Sequence, residues 1–366
     1  MFDKLENLSK EFNVPFENVL SIALNRYGVI IPNFKDNRVR FNLKLLNSDV
    51  SCFYAVCVNT YMDSPFLLSD NNLFLGDKLI GNTLEIELDT CTSTYFRNDK
   101  KAITFNSNSR SKCVGCKFCG TYSLTDEDNL DFTTKDNIKK YFEDLLLSND
   151  INSMNNIEEV TICTGCFPSE DDLINHLLLV NSSFSDMGYN GRLNYIGSQL
   201  RDYDKIKKLH NEVNDFGLFL TIEKFLEREK FMRMEKASLT IEKSKDLLSY
   251  CSSLGITTTF LYILGLEDLN TINKYFSYLS DSINKFPIVQ VFQDYTPSQE
   301  NYRCSQAKDI EYYLNAKKII NEIFKDKEMK PKLWECFRSL YYDDDTFKKE
   351  KMLCKKKWWL RNFLKQ

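Results

Sequence analysis

Three cysteines with two residues between neighbours are the strongest chemical signal in this sequence. Cys113, Cys116 and Cys119 lie in the segment SRSKCVGCKFCG (109–120). Thiolates this close together can bind different irons of one compact iron–sulfur cluster, as in the bacterial ferredoxin run, which continues to a fourth cysteine. Here the corresponding position is Ser123. Three thiolates leave one iron of a four-iron cluster with an open coordination position, which is what a catalytic metal centre needs.

Two other kinds of metal site are compatible with these cysteines. Cys163 and Cys166 form a second C-x-x-C pair, which together with Cys113 and Cys116 could hold one zinc ion. The 46 residues between the two pairs exceed the gap of a zinc ribbon, and Cys119 would then have no role. A purely structural cluster is the second alternative. We expect a catalytic cluster. Cys163 and Cys166 then have three alternative roles: ligands of another cluster, a thiol partner of the substrate, or small core residues.

The composition excludes several other kinds of function. The chain has 366 residues, and its two histidines, His176 and His210, fall in predicted helices, which argues against a histidine-rich zinc site. A net charge of −4 argues against a general affinity for nucleic acid. The charged N-terminus and the lack of a run of about 18 apolar residues predict neither a signal peptide nor a membrane span. We therefore expect a cytoplasmic protein whose twelve cysteines stay reduced.

From about residue 102, short apolar runs alternate with amphipathic segments. The predicted strands cover residues 102–105, 160–163, 193–196, 218–222, 257–264 and 288–292, and the predicted helices cover 134–147 (with Thr133 as N-cap), 170–180, 203–213, 241–252, 270–283 and 310–324. Such alternation implies parallel strands joined by right-handed crossovers. The predicted fold class is α/β, a parallel partial (β/α)6 barrel of the TIM type. Because barrel active sites lie at the carboxyl ends of the strands, the cysteines follow the first strand at the expected place.

The sequence on either side of this barrel follows other patterns. Residues 1–100 predict a small α+β accessory domain. It would hold one helix over 2–27, strands over 38–45, 52–58 and 84–88, and turns at 70–72 and 81–82. Residues 101–300 form the predicted barrel and 301–366 a helical C-terminal extension. Its last segment, 354–361, is rich in lysine and tryptophan, and we expect it to dock as a helix or, alternatively, to contact an anionic surface or nucleic acid.

The order of motifs along the barrel resembles that of the radical S-adenosylmethionine (radical SAM) superfamily. Cys116-Lys117-Phe118-Cys119 matches the second half of the C-x3-C-x-φ-C motif of that family, and Phe118 takes the aromatic position that lies beside the adenine. The first half is one residue shorter, because the family spacing would place a cysteine at Lys112 instead of Cys113. Thr164-Gly165-Cys166-Phe167-Pro168 stands where the family has T-G-G-E-P, whose backbone lines the amino group of methionine.

Further positions of the resemblance lie at the ends of later strands. Glu223 takes the place of a polar residue that contacts the cofactor, and a cation that follows it would pair with the cofactor carboxylate. Gly265 belongs to a segment that flanks the adenine, and Gln293 to one that contacts ribose or substrate. The resemblance thus assigns nine residues to S-adenosylmethionine: Phe118, Thr164, Gly165, Glu223, Arg228, Arg233, Lys236, Gly265 and Gln293. Each of three residues has an alternative role: Glu223 could form an ion pair, Gly265 could end a strand, and Gln293 could form a turn.

The resemblance implies a specific chemistry. A [4Fe–4S] cluster on the three cysteines would reductively cleave S-adenosylmethionine to a 5′-deoxyadenosyl radical, which modifies an unactivated carbon of a small-molecule or peptide substrate. The electron would come from an external donor such as a flavodoxin or ferredoxin. The substrate, and whether the enzyme is an oxidoreductase or a transferase, stay open. The alternative function is a non-catalytic zinc or iron–sulfur module that contacts nucleic acid through its basic C-terminal tail.

Overall fold

The computed structural model describes residues 1–46, 51–59, 64–88, 94–108, 116–119, 130–327, 329–331 and 340–341. The chain begins with two helices, α1 (Phe2–Glu11) and α2 (Phe16–Tyr27). The prediction of one helix over 2–27 is wrong, because Asn13 adopts a positive φ of 49° and Pro15 directly precedes α2. A left-handed residue followed by a proline ends the first helix and starts the second one at a new angle.

An antiparallel sheet follows the two helices. Its five strands are β1 (Arg38–Leu45), β2 (Ser51–Cys57), β3 (Phe66–Ser69), β4 (Asn72–Leu75) and β5 (Lys78–Leu88), in the order β2-β1-β5-β4-β3. Asp70 and Asn71 both have a positive φ and form the tight turn between β3 and β4. The turn predicted at 81–82 is wrong, since Gly81 lies inside β5. A Cβ atom at Gly81 would lie 2.6 Å from the carbonyl oxygen of Lys44 on β1, so the close approach of the two strands requires glycine there.

A second sheet forms the core of the molecule. It consists of β6 (Tyr95–Arg97), β7 (Ala102–Asn108), β8 (Glu159–Thr164), β9 (Arg192–Gly197), β10 (Phe216–Glu223), β11 (Thr257–Leu264) and β12 (Ile288–Val291). The strands lie in sequence order, with β7 to β12 parallel and β6 antiparallel to β7. In the described residues β12 and β6 form the two edges, so the sheet is a curled half-barrel. The predicted series of six parallel strands is confirmed. β6 belongs to this sheet although it precedes residue 100.

Helices follow the parallel strands as in a β/α barrel. They are α3 (Lys135–Leu147), α4 (Glu170–Asp186), α5 (Tyr203–Glu212), α6 (Arg228–Phe231), α7 (Met234–Ala237), α8 (Ile241–Ser253), α9 (Leu269–Leu279) and α10 (Ile310–Phe324). The N-cap of α3 is Thr134 and not the predicted Thr133, because the Thr134 hydroxyl accepts from the Asn137 amide while Thr133 donates to Asp131. Among the described helices, none combines the length and apolar character that crossing a membrane needs.

The N-terminal segment packs directly on the carboxyl end of the half-barrel. The Gln293 side chain, just after β12, donates to Asn25 Oδ1 (2.6 Å) on α2 and to the Ala55 carbonyl oxygen (3.0 Å) on β2. Arg26 forms an ion pair with Glu300 at 2.9 Å. These contacts are buried or half-buried, and one continuous apolar core extends from α1 to α10. The N-terminal sheet therefore covers one side of the barrel mouth.

His176 on α4 is a core residue. Its Nε2 atom lies 2.7 Å from the Ser107 hydroxyl at the end of β7, and burial lowers the pKa of the imidazole from 6.5 to about 4. In the unfolded chain the pKa returns to its ordinary value, so between pH 6.5 and about 4 the unfolded state binds a proton that the folded state does not. We expect this residue to make the protein less stable as the pH falls through that window, by up to about 3 kcal/mol.

Urea denaturation of the wild type and of His176→Gln at about pH 7 and about pH 4.5 measures this effect. The free energy of unfolding of His176→Gln, relative to that of the wild type, should be higher at about pH 4.5 than at about pH 7. His210→Gln, which changes the only other histidine of the sequence, is the matched control. Equal pH dependence of stability in the wild type and His176→Gln would show that the imidazole titrates normally in the folded state.

Candidate active site

A cavity of about 370 Å³ lies at the carboxyl end of the parallel strands. Its walls come from three parts of the chain: strands β7 to β12 with the loops that follow β8, β9 and β10, the cysteine segment 116–119, and residues of β1, β2 and β6. A volume of this size is within the range of small-ligand pockets, which is about 300–1,000 Å³. The barrel supplies the floor of the cavity and the N-terminal sheet supplies part of its cover.

Cys116 and Cys119 line this cavity from a tight turn. The Cys119 amide donates to the Cys116 carbonyl oxygen (3.0 Å), and the Lys117 amide donates to the carbonyl oxygen of Phe231 on α6 (2.9 Å). Burial raises the pKa of the Cys116 thiol to about 11. The thiol is therefore neutral at pH 7 in the metal-free chain, and metal coordination is what would deprotonate it.

The predicted third ligand, Cys113, lies outside the described residues. Within the described part of the chain, no three histidine, cysteine, aspartate or glutamate side chains lie close enough to hold a metal ion. Two half-buried thiols on one turn, with a further cysteine three positions earlier in the chain, are a soft donor set suited to an iron–sulfur cluster. The residues present therefore fit the predicted cluster.

Phe118 points away from water into an apolar part of the cavity wall. The side chain is 4% exposed and packs in a buried cluster with residues of β10, β11 and β12. The members of this cluster that also line the cavity are Phe118, Phe219, Leu261, Ile263 and Ile288. The side-chain amide of Gln299 donates to the Lys117 carbonyl oxygen (2.8 Å), which fixes the turn against this wall. A flat apolar ligand group could pack here.

A charged pair occupies the end of β10. Glu223, the last residue of β10, has a positive φ of 64°, and the register with β11 shifts between Thr221 and Glu223. This irregularity aims the carboxylate into the cavity, where Lys236 Nζ lies 2.5 Å from Glu223 Oε2. Arg233 lines the same wall and pairs with Glu235 at 3.3 Å. Glu223 is therefore both an ion-pair residue and a lining residue of the cavity.

The loop after β8 forms the next part of the wall. Thr164 and Gly165 line the cavity, and so do both cysteines of the second C-x-x-C pair. The side-chain amide of Gln199, after β9, accepts from the Phe167 amide and donates to the Phe167 carbonyl oxygen, both at 2.9 Å. This paired contact resembles a short piece of sheet and holds the loop in place. Sequence reasoning missed Gln199, and its spacing alone gives no signal for the contact.

Arg228 has a different position from the other predicted cations. Its guanidinium donates to the carbonyl oxygens of Ile222 (2.6 Å), Lys224 (2.5 Å) and Lys236 (3.1 Å). The side chain is buried and is not among the cavity-lining residues. Arg228 therefore fixes the backbone on both sides of Glu223 and joins it to the segment that carries Lys236.

Gly265 and Gln293 also lie outside the cavity lining. Gly265, after β11, has a φ of 121°, which favours glycine, and a Cβ there would come within 3.0 Å of the Tyr313 hydroxyl. Gln293 is buried and bonded to α2 and β2, as described above. The structure thus brings six of the nine predicted cofactor residues to one cavity together with Cys116 and Cys119. The six are Phe118, Thr164, Gly165, Glu223, Arg233 and Lys236.

Four arginines that line the cavity are not among the predicted site residues. They are Arg38 and Arg40 on β1, Arg97 on β6 and Arg201 after β9. The sequence signal for Arg38 and Arg40 is their spacing, because residues two positions apart on a strand point to the same face of the sheet. The direction of that face depends on how the N-terminal sheet docks. The basic C-terminal tail at 354–361, proposed as a nucleic-acid contact, lies outside the described residues.

Comparison with known proteins finds likeness to solved structures only. No protein-family model and no curated protein matches the sequence. The fold is similar to coproporphyrinogen III oxidase (HemN) from Escherichia coli, described as a radical SAM enzyme, with a TM-score of 0.39 and 12% identity over 58% of this chain and 50% of that chain. It is also similar to HydG, a maturase of the [FeFe]-hydrogenase, with a TM-score of 0.40 and 15% identity over 67% of this chain and 56% of that chain.

The chain therefore spans about half the length of these two proteins. Likeness at such low identity concerns the course of the backbone alone. What the chain does has to be derived from the residues of its own cavity.

Proposed function

We propose that this chain is a radical SAM enzyme. It holds a [4Fe–4S] cluster on Cys113, Cys116 and Cys119, cleaves S-adenosylmethionine reductively to methionine and a 5′-deoxyadenosyl radical, and modifies an unactivated carbon of a small-molecule or peptide substrate. The observation that carries this proposal is the convergence of Cys116, Cys119 and the Glu223–Lys236 pair on one cavity at the carboxyl end of six parallel strands.

Cys113, Cys116 and Cys119 would hold the cluster, which when bound would supply the single electron that breaks a carbon–sulfur bond of the sulfonium. An external donor such as a flavodoxin or ferredoxin would provide that electron. The protein's own contribution begins with the turn at 116–119, which is tied to Phe231 and Gln299 and therefore presents the thiols from a fixed backbone. A fixed donor set keeps the ligand distances constant while the cofactor enters and leaves.

The residues around this turn match the parts of S-adenosylmethionine. The apolar wall with Phe118 provides a surface for the adenine. Glu223 and Lys236, held together at 2.5 Å, offer opposite charges for the amino group and the carboxylate of the methionine part. Backbone carbonyls at Thr164 and Gly165 can accept from the same amino group.

Three further predicted residues act on the cofactor through other groups. We assign Arg228 the role of a positioning residue, because it fixes the backbone that carries Glu223 and Lys236. Gly265 allows the tight chain path after β11, and Gln293 joins the barrel to the N-terminal sheet. In this proposal residues 1–100 form a cover that is part of the substrate chamber. Residues 101–300 bind the cluster and cofactor, and within the predicted extension 301–366 the described helix α10 packs on the core.

Anaerobic reconstitution with iron and sulfide tests the function. We expect a brown protein with about four irons per chain. Addition of dithionite and S-adenosylmethionine should then release 5′-deoxyadenosine. A colourless protein with about one zinc per chain, and no release of that nucleoside, would contradict the proposal.

A further inference from the structure

The last residue of β10 has a rare backbone conformation. The Lys224 amide donates to the carbonyl oxygen of Ile222 (2.8 Å), which makes Glu223 the central residue of a γ-turn, and the φ of Glu223 is 64°. A γ-turn with a positive φ at its centre is strained, and a left-handed residue other than glycine persists only where surrounding contacts determine its conformation. Contacts outside the turn must therefore hold Glu223 in place.

Glu267, in the loop after β11, makes contacts of this kind. Its carboxylate accepts from the backbone amides of Phe225 (3.0 Å) and Leu226 (2.6 Å), and from the Tyr262 hydroxyl (2.9 Å). The two amides lie beyond Glu223, the last residue of β10 that pairs with β11. Buried backbone amides need an acceptor wherever a strand ends. The Glu267 carboxylate therefore takes the place of a strand partner for the segment that follows Glu223.

A buried lysine is the counter-ion of this carboxylate. Lys224 Nζ lies 3.4 Å from Glu267 Oε1, and the two side chains are 5% and 3% exposed. Lys224 Nζ also lies 4.8 Å from the centroid of the Phe231 ring. The carbonyl oxygen of Phe231 in turn accepts from the Lys117 amide of the cysteine turn. The Glu267–Lys224 pair therefore connects the γ-turn with the turn that carries Cys116 and Cys119.

Glu267 and Arg228 hold opposite kinds of backbone group around Glu223. Arg228 donates to the carbonyl oxygens on both sides of Glu223, whereas Glu267 accepts from the amides that follow. Together they fix the backbone of residues 222–226. Neither of the two side chains is among the cavity-lining residues, while Glu223 is. Any effect of Glu267 on a ligand in the cavity therefore acts through Glu223.

We propose that Glu267 is a positioning residue for the methionine part of S-adenosylmethionine. The inference rests on the proposed function, in which Glu223 and Lys236 contact the amino group and the carboxylate of that part. The γ-turn aims the Glu223 carboxylate into the cavity, and Glu267 holds the chain that leaves the turn. Without this anion, the amides of Phe225 and Leu226 would lose their acceptor, the turn would relax, and the Glu223 carboxylate would leave its position.

Calorimetric titration of the reconstituted full chain with two ligands tests this role. S-adenosylmethionine carries the methionine part, whereas 5′-methylthioadenosine has the adenosine part but neither the amino group nor the carboxylate. Glu267→Gln keeps the size of the side chain and removes its charge. We expect the variant to bind S-adenosylmethionine about tenfold or more weakly, a loss typical of residues that orient a ligand-binding group. Its affinity for 5′-methylthioadenosine should be unchanged, whereas a general loss of structure would weaken both ligands.

Hydrogen exchange of the metal-free chain gives a second measurement, which needs neither cluster nor cofactor. The amides of residues 222–226 should exchange faster in Glu267→Gln than in the wild type, because the segment loses its buried acceptor. The amides of β8, on the other side of β9, should exchange at the same rate in both proteins.

Two further variants separate a local effect from a general one. Glu159, the first residue of β8, is also buried (6% exposed) and does not line the cavity, so Glu159→Gln should leave both affinities unchanged. Tyr262→Phe removes one donor to Glu267 and keeps the ring that stacks on Phe225. It should weaken S-adenosylmethionine binding by about threefold, and it tests the role if Glu267→Gln does not fold.

Three outcomes would overturn the inference. They are equal affinity for S-adenosylmethionine in the wild type and Glu267→Gln, a matching loss of affinity for 5′-methylthioadenosine, and unchanged exchange of residues 222–226. Iron content and 5′-deoxyadenosine release, measured on the wild type, test the proposed function separately. A wild type without cluster and release would contradict the function, and a working wild type whose affinities survive in Glu267→Gln would contradict only the role of Glu267.

Discussion

Cys116→Ser is expected to abolish both cluster assembly and the release of 5′-deoxyadenosine. Iron of an iron–sulfur cluster prefers soft thiolate ligands, and a serine hydroxyl is a hard ligand that ionises far less readily. With three cysteines proposed as ligands, loss of one leaves two, which do not retain a cluster under reducing conditions. We expect the iron content and the nucleoside yield of the reconstituted variant to fall to the background of protein that received no iron.

A second cysteine variant controls for the loss of a thiol as such. Cys251 lies in the buried core on α8 and does not line the cavity. Cys251→Ala should therefore bind iron and release 5′-deoxyadenosine like the wild type, at a modest cost in stability. If Cys116→Ser kept a full complement of iron and its activity, Cys116 would not be a ligand and the proposed function would fail.

Arg303→Met is expected to destabilise the fold by about 3–5 kcal/mol, because it breaks a fully buried ion-pair network. Arg303 Nη2 lies 2.6 Å from Asp294 Oδ1 and its Nε lies 2.9 Å from Glu300 Oε2, with both the Arg303 and the Asp294 side chains at 0% exposure. The guanidinium also donates to the Tyr313 hydroxyl (2.6 Å). Burial already raises the pKa of Asp294, and without its cation the carboxylate would be charged in an apolar site or protonated at a cost.

Urea denaturation of the wild type and the variant gives this difference directly. The double variant Arg303→Met with Asp294→Asn should recover part of the loss, since it removes the uncompensated charge. Arg192→Met, which breaks a half-exposed pair with Asp215, should cost less than about 1 kcal/mol. A loss for Arg303→Met as small as that of Arg192→Met would show that the buried network contributes little to stability.

The sequence predicts the parallel strands well because each of them carries its own signal. The strand Thr257–Leu264 is buried along nearly its whole length, ends in the apolar run 260–264 and is followed by a helix, and burial on both faces favours that pattern whatever its neighbours are. The β3–β4 hairpin gives a weak sequence signal because each strand has only four residues, although its turn at Asp70 and Asn71 is predicted. The turn prediction at Gly81 fails because a glycine needed for close strand packing looks the same in the sequence as one needed for a bend.

The site could be predicted in part for a related reason. Strand-end residues such as Thr164 and Glu223 reach the cavity because the strand direction fixes where they point. Arg228, Arg233 and Lys236 lie within nine positions of one another, and spacing alone does not tell which of them turns inward. Arg38 and Arg40 line the cavity because β1 docks over the barrel mouth, and this docking is set by contacts between residues far apart in the chain, such as Gln293 with Ala55.

The N-terminal sheet gives the cavity a wall that lies apart from the barrel in the chain. The proposed radical generation uses the barrel and the cysteine turn, whereas part of the cavity cover belongs to a separate antiparallel sheet. On our proposal, β1 lines the cavity at positions 38 and 40, while the cysteine turn and the ends of the parallel strands carry the cofactor contacts. A fragment that starts at the barrel would lose one wall of the cavity and also the part of the continuous apolar core that α1, α2 and the N-terminal sheet supply.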